Sequence, residues 1–600
     1  MRYSAAYPTG AERIVMRDNL KIPYGVSDFK RVISEGYYYI DKSAYIRTIE
    51  EAGSFLFFVR PRRFGKSLFA SMLRCYYDIS ERENFQTLFG ELDIGREPTE
   101  NVNRFQVLYM DFSEVNRGDA DMSLQQRFEN YIGKSLDSFI DQYGKEYGDQ
   151  FVGRFYRERT ADKFTMVAKH ARLKGFHLYL ILDEYDNFTN AMLRTDGSPE
   201  YRSITHGQGF YREWFKAFKS SFDRIFMTGV SPVTMDDLTS GFNIASNISQ
   251  MEMFNSMLGF SRAECIRLFS DFKGVGKYTT GEPAEWVASI KPWYDGYCFA
   301  DDKRGKESVF NSDMALYFLK SLVATGKAPK NWVDPNVRTD YAKLDTIAEI
   351  QRRIAAERAE DALPITEKIA TEGEIAFPLV ESFPADRIPA PDNFLSLFYY
   401  YGILSMKERR EGLDWFRIPN ICVRRQVFDY LRLNLSRTRP PDWSEWSRLA
   451  SAFAYRGEWK PFLERLAHDF AETNPVRGGI QGEHRIQGYM QAEFGHLDYY
   501  LMEPEMELSR GFCDFCLFPE RYRFGDVQHS YLIELKYSAK DATDDEIESK
   551  RQEALEQLAR YRADKSVPSL ARGTMLHQIV FQFKGTELVR CEHVAEETLQ

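Results

Sequence analysis

An eight-residue segment, Arg60–Ser67 (RPRRFGKS), constrains the fold more than any other part of the chain. It follows the apolar run Phe55–Val59, which has the composition of a buried parallel strand, and it precedes residues 68–76, whose apolar side chains share one helical face. Strand, tight loop and helix form the context in which a Gly-Lys-Ser sequence binds phosphate. The full pattern G-x-x-x-x-G-K-[ST] has glycine where this chain has Arg60, so a basic turn that opens an ordinary helix remains the alternative.

The loop residues have distinct predicted roles in binding a nucleotide. Successive N–H groups and the helix N-terminus would hold phosphate oxygens, Lys66 would pair with them, and Ser67 would hold Mg²⁺. The residues predicted to contact the nucleotide here are Arg62, Arg63, Phe64, Gly65, Lys66, Ser67 and Leu68.

A second motif, Leu178–Asp186 (LYLILDEYD), reads as a buried strand with acids at its carboxyl end. That end of a parallel sheet is where ligands bind, so Asp183 is predicted to hold Mg²⁺ and Glu184 to polarise the attacking water. On a further predicted strand, Thr228 or Ser231 would sense the γ-phosphate. Either of these two residues could instead cap the following turn.

The C-terminal part of the chain carries a second set of candidate catalytic residues. The run Tyr531–Tyr537 has strand composition, and its period-2 geometry places Glu534 and Lys536 on one face. Asp514 lies in another strand-like run upstream. Two carboxylates that converge from adjacent strands make an oxygen site suited to Mg²⁺, with Lys536 beside the nucleophile.

A helix after these strands is predicted to support the same site. Thr543 and Glu546 form a capping-box signal, and Gln557 and Tyr561 stand four residues apart on one face of the helix that follows.

These motifs together resemble a family of bacterial proteins that pair an AAA-ATPase-like domain with a C-terminal PD-(D/E)xK nuclease-like domain. Arginine at the first-glycine position is also typical of that family. The resemblance implies ATP and Mg²⁺ as cofactors, and it identifies Gln557 and Tyr561 with the Q-x-x-x-Y element of RecB-like nucleases. Glu483 occupies the position where folds of the PD-(D/E)xK type carry a helical glutamate beside the metal, and this resemblance makes it the preferred candidate for a further metal ligand. Glu493 and Glu507 are the second and third choices. The segments that carry it are Ile22–Phe29, Tyr38–Ser43, Arg60–Ser67, Leu182–Asp186, Thr228–Val233, Trp293–Tyr297, Ile418–Asn420 and the C-terminal residues above.

The expected fold class is α/β, and the chain is predicted to divide into four parts. Residues 1–20 read as a lead-in, and 21–290 as a P-loop, AAA-like domain with a parallel sheet. Residues 291–440 read as a mainly helical middle region. Residues 441–600 read as a restriction-endonuclease-like α/β domain.

Composition narrows the class of protein and its partners. The hydrophobic content of 43% with 28% charged residues is that of a globular chain, and no apolar run is long enough to span a membrane. Seven irregularly spaced cysteines favour a reducing compartment, so we expect a cytoplasmic protein. The net charge of −10 argues against non-specific coating of DNA but permits a local basic track. Candidates for such a track are Arg424, Arg425, Arg432, Arg437 and Arg439, each of which could instead pair with a nearby acid.

The sequence therefore predicts an ATP-binding and ATP-hydrolysing protein coupled to Mg²⁺-dependent cleavage of nucleic-acid phosphodiesters. The expected partner is nucleic acid, DNA ahead of RNA, and a homo-oligomer is left open. The alternative is a nucleotide-controlled binding module whose nuclease-like domain is inactive.

Overall fold

The structure is a computed structural model of the 600-residue chain. It describes residues 20–117, 122–187, 209–233, 245–338, 347, 369, 373–384, 387–427, 443–473, 483–508, 511–521 and 523–599.

The N-terminal unit is built on a five-stranded parallel sheet with strand order β2-β3-β4-β1-β5. The first four of its strands along the chain are mostly apolar runs, as expected for a parallel sheet that helices cover on both faces, whereas the fifth is a short polar edge strand. The α/β architecture and the predicted strands are confirmed. The strands are β1 (Phe55–Val59), β2 (Phe105–Asp111), β3 (His177–Asp183), β4 (Arg224–Gly229) and β5 (Ser246–Asn247).

Helices precede β1 and occupy the connections between the strands. The helix after the phosphate loop, α3, begins at Lys66 and buries Phe69, Met72, Leu73 and Tyr76 against the sheet. The helices of this unit are α1 (Phe29–Ser34), α2 (Tyr45–Ala52), α3 (Lys66–Tyr77), α4 (Phe85–Phe89), α5 (Asp93–Arg96), α6 (Leu124–Tyr147), α7 (Asp149–Phe155), α8 (Thr160–Lys174) and α9 (Phe210–Ser221).

The middle region contains the predicted helices and also a three-stranded antiparallel sheet, β6-β8-β7, that the sequence analysis did not predict. The predicted boundary at 290–291 falls inside a helix. That helix shares one aromatic core with the helices on either side of it, so the helical unit begins earlier, near Ser261. The elements are α10 (Arg262–Phe272), α11 (Pro283–Tyr294), α12 (Ser312–Thr325), α13 (Pro335–Arg338), β6 (Glu374–Ala376), α14 (Pro391–Tyr400), β7 (Ser405–Arg410) and β8 (Leu413–Arg417).

The C-terminal unit is a five-stranded mixed sheet with strand order β13-β12-β11-β10-β9. Only β11 and β12 run parallel; the other neighbours are antiparallel. Helix α18 packs on one face of this sheet. Helices α15, α16 and α17 also contact strands of the sheet. The elements are α15 (Trp443–Arg456), α16 (Trp459–Thr473), α17 (Glu483–Gly495), β9 (Tyr500–Leu508), β10 (Gly511–Pro519), β11 (His529–Ser538), α18 (Asp544–Arg562), α19 (Val567–Leu570), β12 (Thr574–Lys584) and β13 (Glu587–Leu599).

Within the described ranges, every helix is too short or too polar to cross a lipid bilayer.

Candidate nucleotide and nuclease sites

The phosphate loop lies between β1 and α3, as the sequence predicts. Gly65 caps α3 with φ of +94°, a left-handed conformation that favours glycine. Arg63 also has positive φ, at +68°, and Glu184 at the end of β3 has +51°. Strained backbone of this kind at non-glycine residues concentrates at functional sites.

Lys66 is the first residue of α3, and its side chain is buried. Its Nζ donates to the carbonyl oxygens of Arg60 at 3.1 Å and Pro61 at 3.2 Å. Phosphate oxygens are stronger partners for an ammonium group than neutral carbonyls. Together with the N-terminal dipole of α3, this arrangement suits the binding of a phosphate group.

Arg60 explains why this loop tolerates arginine at the first-glycine position. Its side chain is only 2% exposed, and the guanidinium donates to the carbonyls of Val59 at 3.0 Å, Ser249 at 2.7 Å and Phe254 at 2.9 Å. The side chain therefore ties the end of β1 to the segment after β5. Arg60 is not among the described residues that line the cavity beside the loop.

Aromatic rings complete the environment of the Arg60 guanidinium. Its Cζ lies 4.2 Å from the ring centre of Phe58 and 4.1 Å from that of Phe299, distances suited to cation–π attraction. Burial lowers the pKa of Arg60 to about 10, which leaves it charged at neutral pH. The side chain is thus a buried structural cation.

The acidic end of β3 meets the start of α3. A hydrogen bond joins Ser67 to the Asp183 carboxylate, and the Tyr109 hydroxyl donates to Asp183 Oδ2 at 3.3 Å. Burial raises the pKa of Asp183 to about 6, while the bond from Ser67 opposes that change and the neighbouring charge of Glu184 adds to it. The donor set at this point is oxygen only, which fits Mg²⁺.

Thr228 lies on β4, between β3 and β1 in the sheet, and is 1% exposed. Its carbonyl accepts the N–H of Tyr185 at 3.1 Å, but within the described part of the chain its Oγ1 has no hydrogen-bond partner. Buried hydroxyls are normally paired, so this group stands ready for a ligand or water.

A cavity of about 310 Å³ lies beside the loop, large enough for a bound small molecule. Three parts of the chain line it: an N-terminal segment, the loop with the end of β3, and the helical unit. Lys42, in the first part, is ion-paired with Glu264 at 2.7 Å. The lining residues are Pro23, Gly25, Val26, Ser27, Tyr38, Tyr39, Ile40 and Lys42; Arg63, Phe64, Gly65, Lys66, Ser67, Leu68, Phe69 and Glu184; and Met257, Leu258, Gly259, Phe260, Leu268, Ser312, Asp313 and Leu316.

The second site lies where β10 and β11 separate. Their antiparallel ladder ends at the pair Phe515 and Ile533, and the next pair in register is Asp514 and Glu534. At that point the Leu535 N–H donates to Asp514 Oδ2 at 2.8 Å, so a side chain takes the place of a backbone partner. The two carboxylates are brought together as predicted.

Lys536 shares the face of β11 that carries Glu534. Its Nζ lies 3.1 Å from Glu534 Oε1 and 3.4 Å from Oε1 of Glu553 on α18. Burial by itself would lower the pKa of Lys536, but the carboxylates of Glu534 and Asp514 raise it overall. The lysine is therefore held as a cation beside its acidic partners.

Burial disfavours the ionised form of both carboxyl groups. Burial raises the pKa of Glu534 to about 7 against the opposing effect of Lys536, and burial together with Glu534 holds the pKa of Asp514 well above its usual range. Glu534 is 2% exposed, and its Oε2 has no hydrogen-bond partner among the described residues. A buried carboxylate oxygen without a hydrogen-bond partner is suited to coordinate a metal cation.

Helix α17 closes one side of this site. Glu483 is its first residue and is close enough for its charge to raise the pKa of both Asp514 and Glu534. One turn later, Gln487 Nε2 donates to Asp514 Oδ1 at 3.3 Å. The second-choice acid, Glu493, instead accepts from Trp446 Nε1 at 3.1 Å. The side chain of Glu507, the third choice, lies outside the described residues.

No three acidic, histidine or cysteine side chains are grouped to hold a metal ion anywhere in the described ranges. Asp514 and Glu534 thus form a pair, with Glu483 near it. One or two carboxylates are enough for Mg²⁺, which keeps several waters and takes further oxygens from substrate phosphates.

Helix α18 supports the site from the other side. The predicted capping box of Thr543 and Glu546 is present at its start. Tyr561 is buried, and its phenol pKa is raised by burial and by the charges of Glu534 and Asp514. Gln557, one turn before Tyr561, has a buried Oε1 with no hydrogen-bond partner among the described residues.

Comparison with known families fits both sites. Residues 23–239 match the family model described as "Predicted AAA-ATPase", and residues 481–593 match that of the PD-(D/E)XK nuclease superfamily. The chain combines an AAA-ATPase-like domain with a PD-(D/E)xK nuclease superfamily domain.

One curated relative is an uncharacterised protein in the vnfD 5′ region of Azotobacter chroococcum mcd 1, 27% identical over 308 residues. That match covers 50% of this chain and 52% of the relative, so the chain spans about half the length of the curated relative it matches.

Two solved structures are similar at low scores. The ORC2 protein of Aeropyrum pernix aligns at 12% identity and a TM-score of 0.30, over 66% of this chain and 93% of its own. CDC6P of Pyrobaculum aerophilum aligns at 11% identity and a TM-score of 0.25, over 68% of this chain and 98% of its own. Because these scores are low, the fold assignment is based on the sheet topology described above and not on these two similarities.

The structure divides the predicted nucleotide contacts into three groups. Arg63, Phe64, Gly65, Lys66, Ser67 and Leu68 line the cavity of the AAA-ATPase-like domain, and Glu184 lines it with them. Arg62 is exposed and does not line the cavity. Asp183 and Thr228 are buried and do not line the cavity.

Other contacts were missed from the sequence. The wall from Pro23 to Lys42 and the wall from Met257 to Leu316 were not assigned to the site, although the motif match at Ile22–Phe29 and Tyr38–Ser43 had marked the first of them. In the nuclease-superfamily domain, Gln487 and Glu553 were missed. Each is one turn along its helix from a predicted residue, Glu483 or Gln557, which is the signal that could have found it.

The candidate basic track is described only in part. Arg432, Arg437 and Arg439 lie outside the described residues. Arg425 pairs with Asp498 at 2.6 Å, which is the alternative left open for these arginines.

Replacing Arg60 by glycine, the residue of the general motif, tests the structural role of Arg60. Arg60→Gly should lower the free energy of unfolding by about 3 kcal/mol or more, because three buried carbonyls lose their donor and a cavity remains. Arg62→Gly, in the same loop but exposed, is the control and should cost less than about 1 kcal/mol. Denaturant unfolding of both variants is the measurement. Equal stability of Arg60→Gly and wild type would contradict the assignment.

Proposed function

We propose that this chain binds ATP with Mg²⁺ and hydrolyses it, and that the nucleotide controls Mg²⁺-dependent cleavage of nucleic-acid phosphodiester bonds at the C-terminal site. The observation that carries the proposal is that one chain retains both sets of polar groups. Lys66 and Ser67 line one cavity and Asp183 is hydrogen-bonded to Ser67, while Asp514, Glu534 and Lys536 lie together where the β10–β11 ladder ends. The free thiols of the seven cysteines support a reducing compartment such as the cytoplasm.

The geometry of the AAA-ATPase-like domain supports phosphoryl chemistry. Lys66 and the N–H groups at the start of α3 would bind the phosphates, and Ser67 and Asp183 would hold Mg²⁺. When bound, the ion neutralises charge on the phosphate oxygens. Glu184 reaches the same cavity and is the residue that would orient the attacking water.

The geometry of the nuclease-superfamily domain supports metal-assisted hydrolysis as well. Asp514 and Glu534 would hold Mg²⁺, which polarises a phosphate and lowers the pKa of bound water. Lys536, fixed beside Glu534, would position the nucleophile or offset developing negative charge. Gln557 and Tyr561 would hold the substrate and the site from α18, and Glu483 would add a carboxylate from α17. The substrate class is nucleic acid, DNA ahead of RNA.

A binding module without cleavage is the second candidate function. The net charge of −10 favours it. Arg60 does not bear on this choice, because its side chain is a structural cation away from the cavity. Cleavage assays separate the two functions.

Nucleotide binding is tested by Lys66→Ala. Loss of a charge-assisted contact with phosphate should weaken Mg²⁺-dependent ATP binding by roughly ten- to a hundredfold. Glu184→Gln should bind ATP normally but lose turnover by about a hundredfold or more. Lys145→Ala, an exposed lysine of the same domain, is the matched control. Equal binding of labelled ATP by wild type and Lys66→Ala would refute the loop assignment.

Cleavage is tested by Asp514→Ala and Lys536→Ala. The first should abolish cutting of single- and double-stranded DNA and RNA with Mg²⁺ or Mn²⁺ because a metal ligand is lost, while nucleic-acid binding persists. The second should bind metal nearly normally yet cleave poorly. Glu556→Gln, an exposed carboxylate on α18, should cut as wild type does. Cleavage by Asp514→Ala at the wild-type rate would show that the site is misplaced, and no cleavage by wild type with or without ATP would favour the binding module.

A further inference from the structure

An ion pair spans the nucleotide cavity from the phosphate loop to the helical unit. Arg63 Nη1 lies 2.9 Å from Asp313 Oδ2, and Arg63 Nη2 donates to the carbonyl of Asn336 at 2.8 Å. The Ser312 hydroxyl donates to the Arg63 carbonyl at 3.3 Å, so the contact involves backbone as well as side chain. Arg63, Ser312 and Asp313 all line the cavity.

Arg63 differs from Lys66 in the charge of its partner. Lys66 is held by neutral carbonyls, whereas Arg63 is already neutralised by a carboxylate from α12. The side chains of Arg63 and Asp313 are 30% and 17% exposed, which makes the pair more than a fully solvated surface contact. A phosphate entering the cavity would offer Arg63 a second anionic partner in place of Asp313.

The backbone segment that Arg63 contacts also contacts the nuclease-superfamily domain. We call residues 330–338 the bridging segment. At one end, Asn336 accepts from Arg63; at the other, the carbonyl of Lys330 accepts from Arg523 Nη2 at 3.1 Å. Arg523 belongs to the loop between β10 and β11, the two strands that present Asp514 and Glu534.

A second set of contacts runs beside the first. Gln426 Nε2 donates to the carbonyl of Val337 in the bridging segment at 2.6 Å. The adjacent Arg425 pairs with Asp498, which precedes β9 of the nuclease-superfamily domain, at 2.6 Å. The bridging segment is thus tied to that domain both directly and through a neighbouring pair of side chains.

We propose that the Arg63–Asp313 pair is a phosphate-sensitive latch. The phosphates of a nucleoside triphosphate draw Arg63 away from Asp313 and Asn336, and the released bridging segment carries that change to the nuclease-superfamily domain. This inference rests on the proposed nucleotide binding and adds its regulation. A ligand shifts such an equilibrium only through different affinities for the two states, and competition for Arg63 supplies that difference.

Asp313→Asn tests the latch with a nearly isosteric change. Removing the competing carboxylate should tighten ATP binding about tenfold in a calorimetric titration, because Arg63 and the cavity lose an anionic competitor. Arg63→Ala should weaken it. Asp414→Asn is the matched control: Asp414 pairs with Arg304 at 2.5 Å, away from the cavity, so ATP affinity should stay as in wild type.

Hydrogen–deuterium exchange of the bridging segment is the second readout. In wild type, ATP should increase exchange in peptides covering residues 330–338. In Asp313→Asn and Arg63→Ala, exchange should already be high without ATP and should change little when it is added. Thermal unfolding of each variant checks that the fold is retained.

The outcomes separate the latch from the proposed function. If wild type binds ATP, Lys66→Ala does not, and Asp313→Asn binds as wild type does with unchanged exchange, the latch is wrong and nucleotide binding stands. If wild type binds no ATP, the proposed function fails and the latch falls with it.

Discussion

The cavity beside the loop depends on the hydrogen bonds of the buried Arg60 guanidinium. This group fixes the end of β1 to the carbonyls of Ser249 and Phe254, while the Arg60 N–H donates to the Gly229 carbonyl at 3.1 Å. The carbonyl of the same residue is one of the two oxygens that hold Lys66. One residue therefore sets both the course of the loop and the position of the Lys66 ammonium group.

Much of the nucleotide domain could be predicted because its signals are local. Parallel strands buried on both faces read as apolar runs, and a Gly-Lys-Ser sequence after such a run specifies a loop and a helix. The buried position of the Arg60 side chain could not be predicted in this way. The sequence shows a charged residue, but it does not show the carbonyl groups and aromatic rings that surround it in the fold. The cavity walls at Pro23–Lys42 and Met257–Leu316 also depend on tertiary packing of distant segments.

The nuclease-superfamily domain shows the same division. Period-2 alternation correctly placed Glu534 and Lys536 on one face, and helical spacing correctly aligned Gln557 with Tyr561. What spacing did not reveal is that β10 and β11 part at Asp514, or that Glu553 shares the ammonium of Lys536. The sheet β6-β8-β7 was missed because its strands are short and partly charged, so hydrophobic alternation gives little signal.

The central claim is that the two sites on this chain influence each other's ligand affinity. The direct measurement is ATP affinity with and without saturating DNA, and DNA affinity with and without ATP, in a cleavage-deficient Asp514→Ala protein with Mg²⁺ present. Linkage requires both affinities to change by the same factor, and the account predicts a factor of roughly five or more. Two affinities that are each indifferent to the other ligand would contradict it and leave two independent domains on a shared chain.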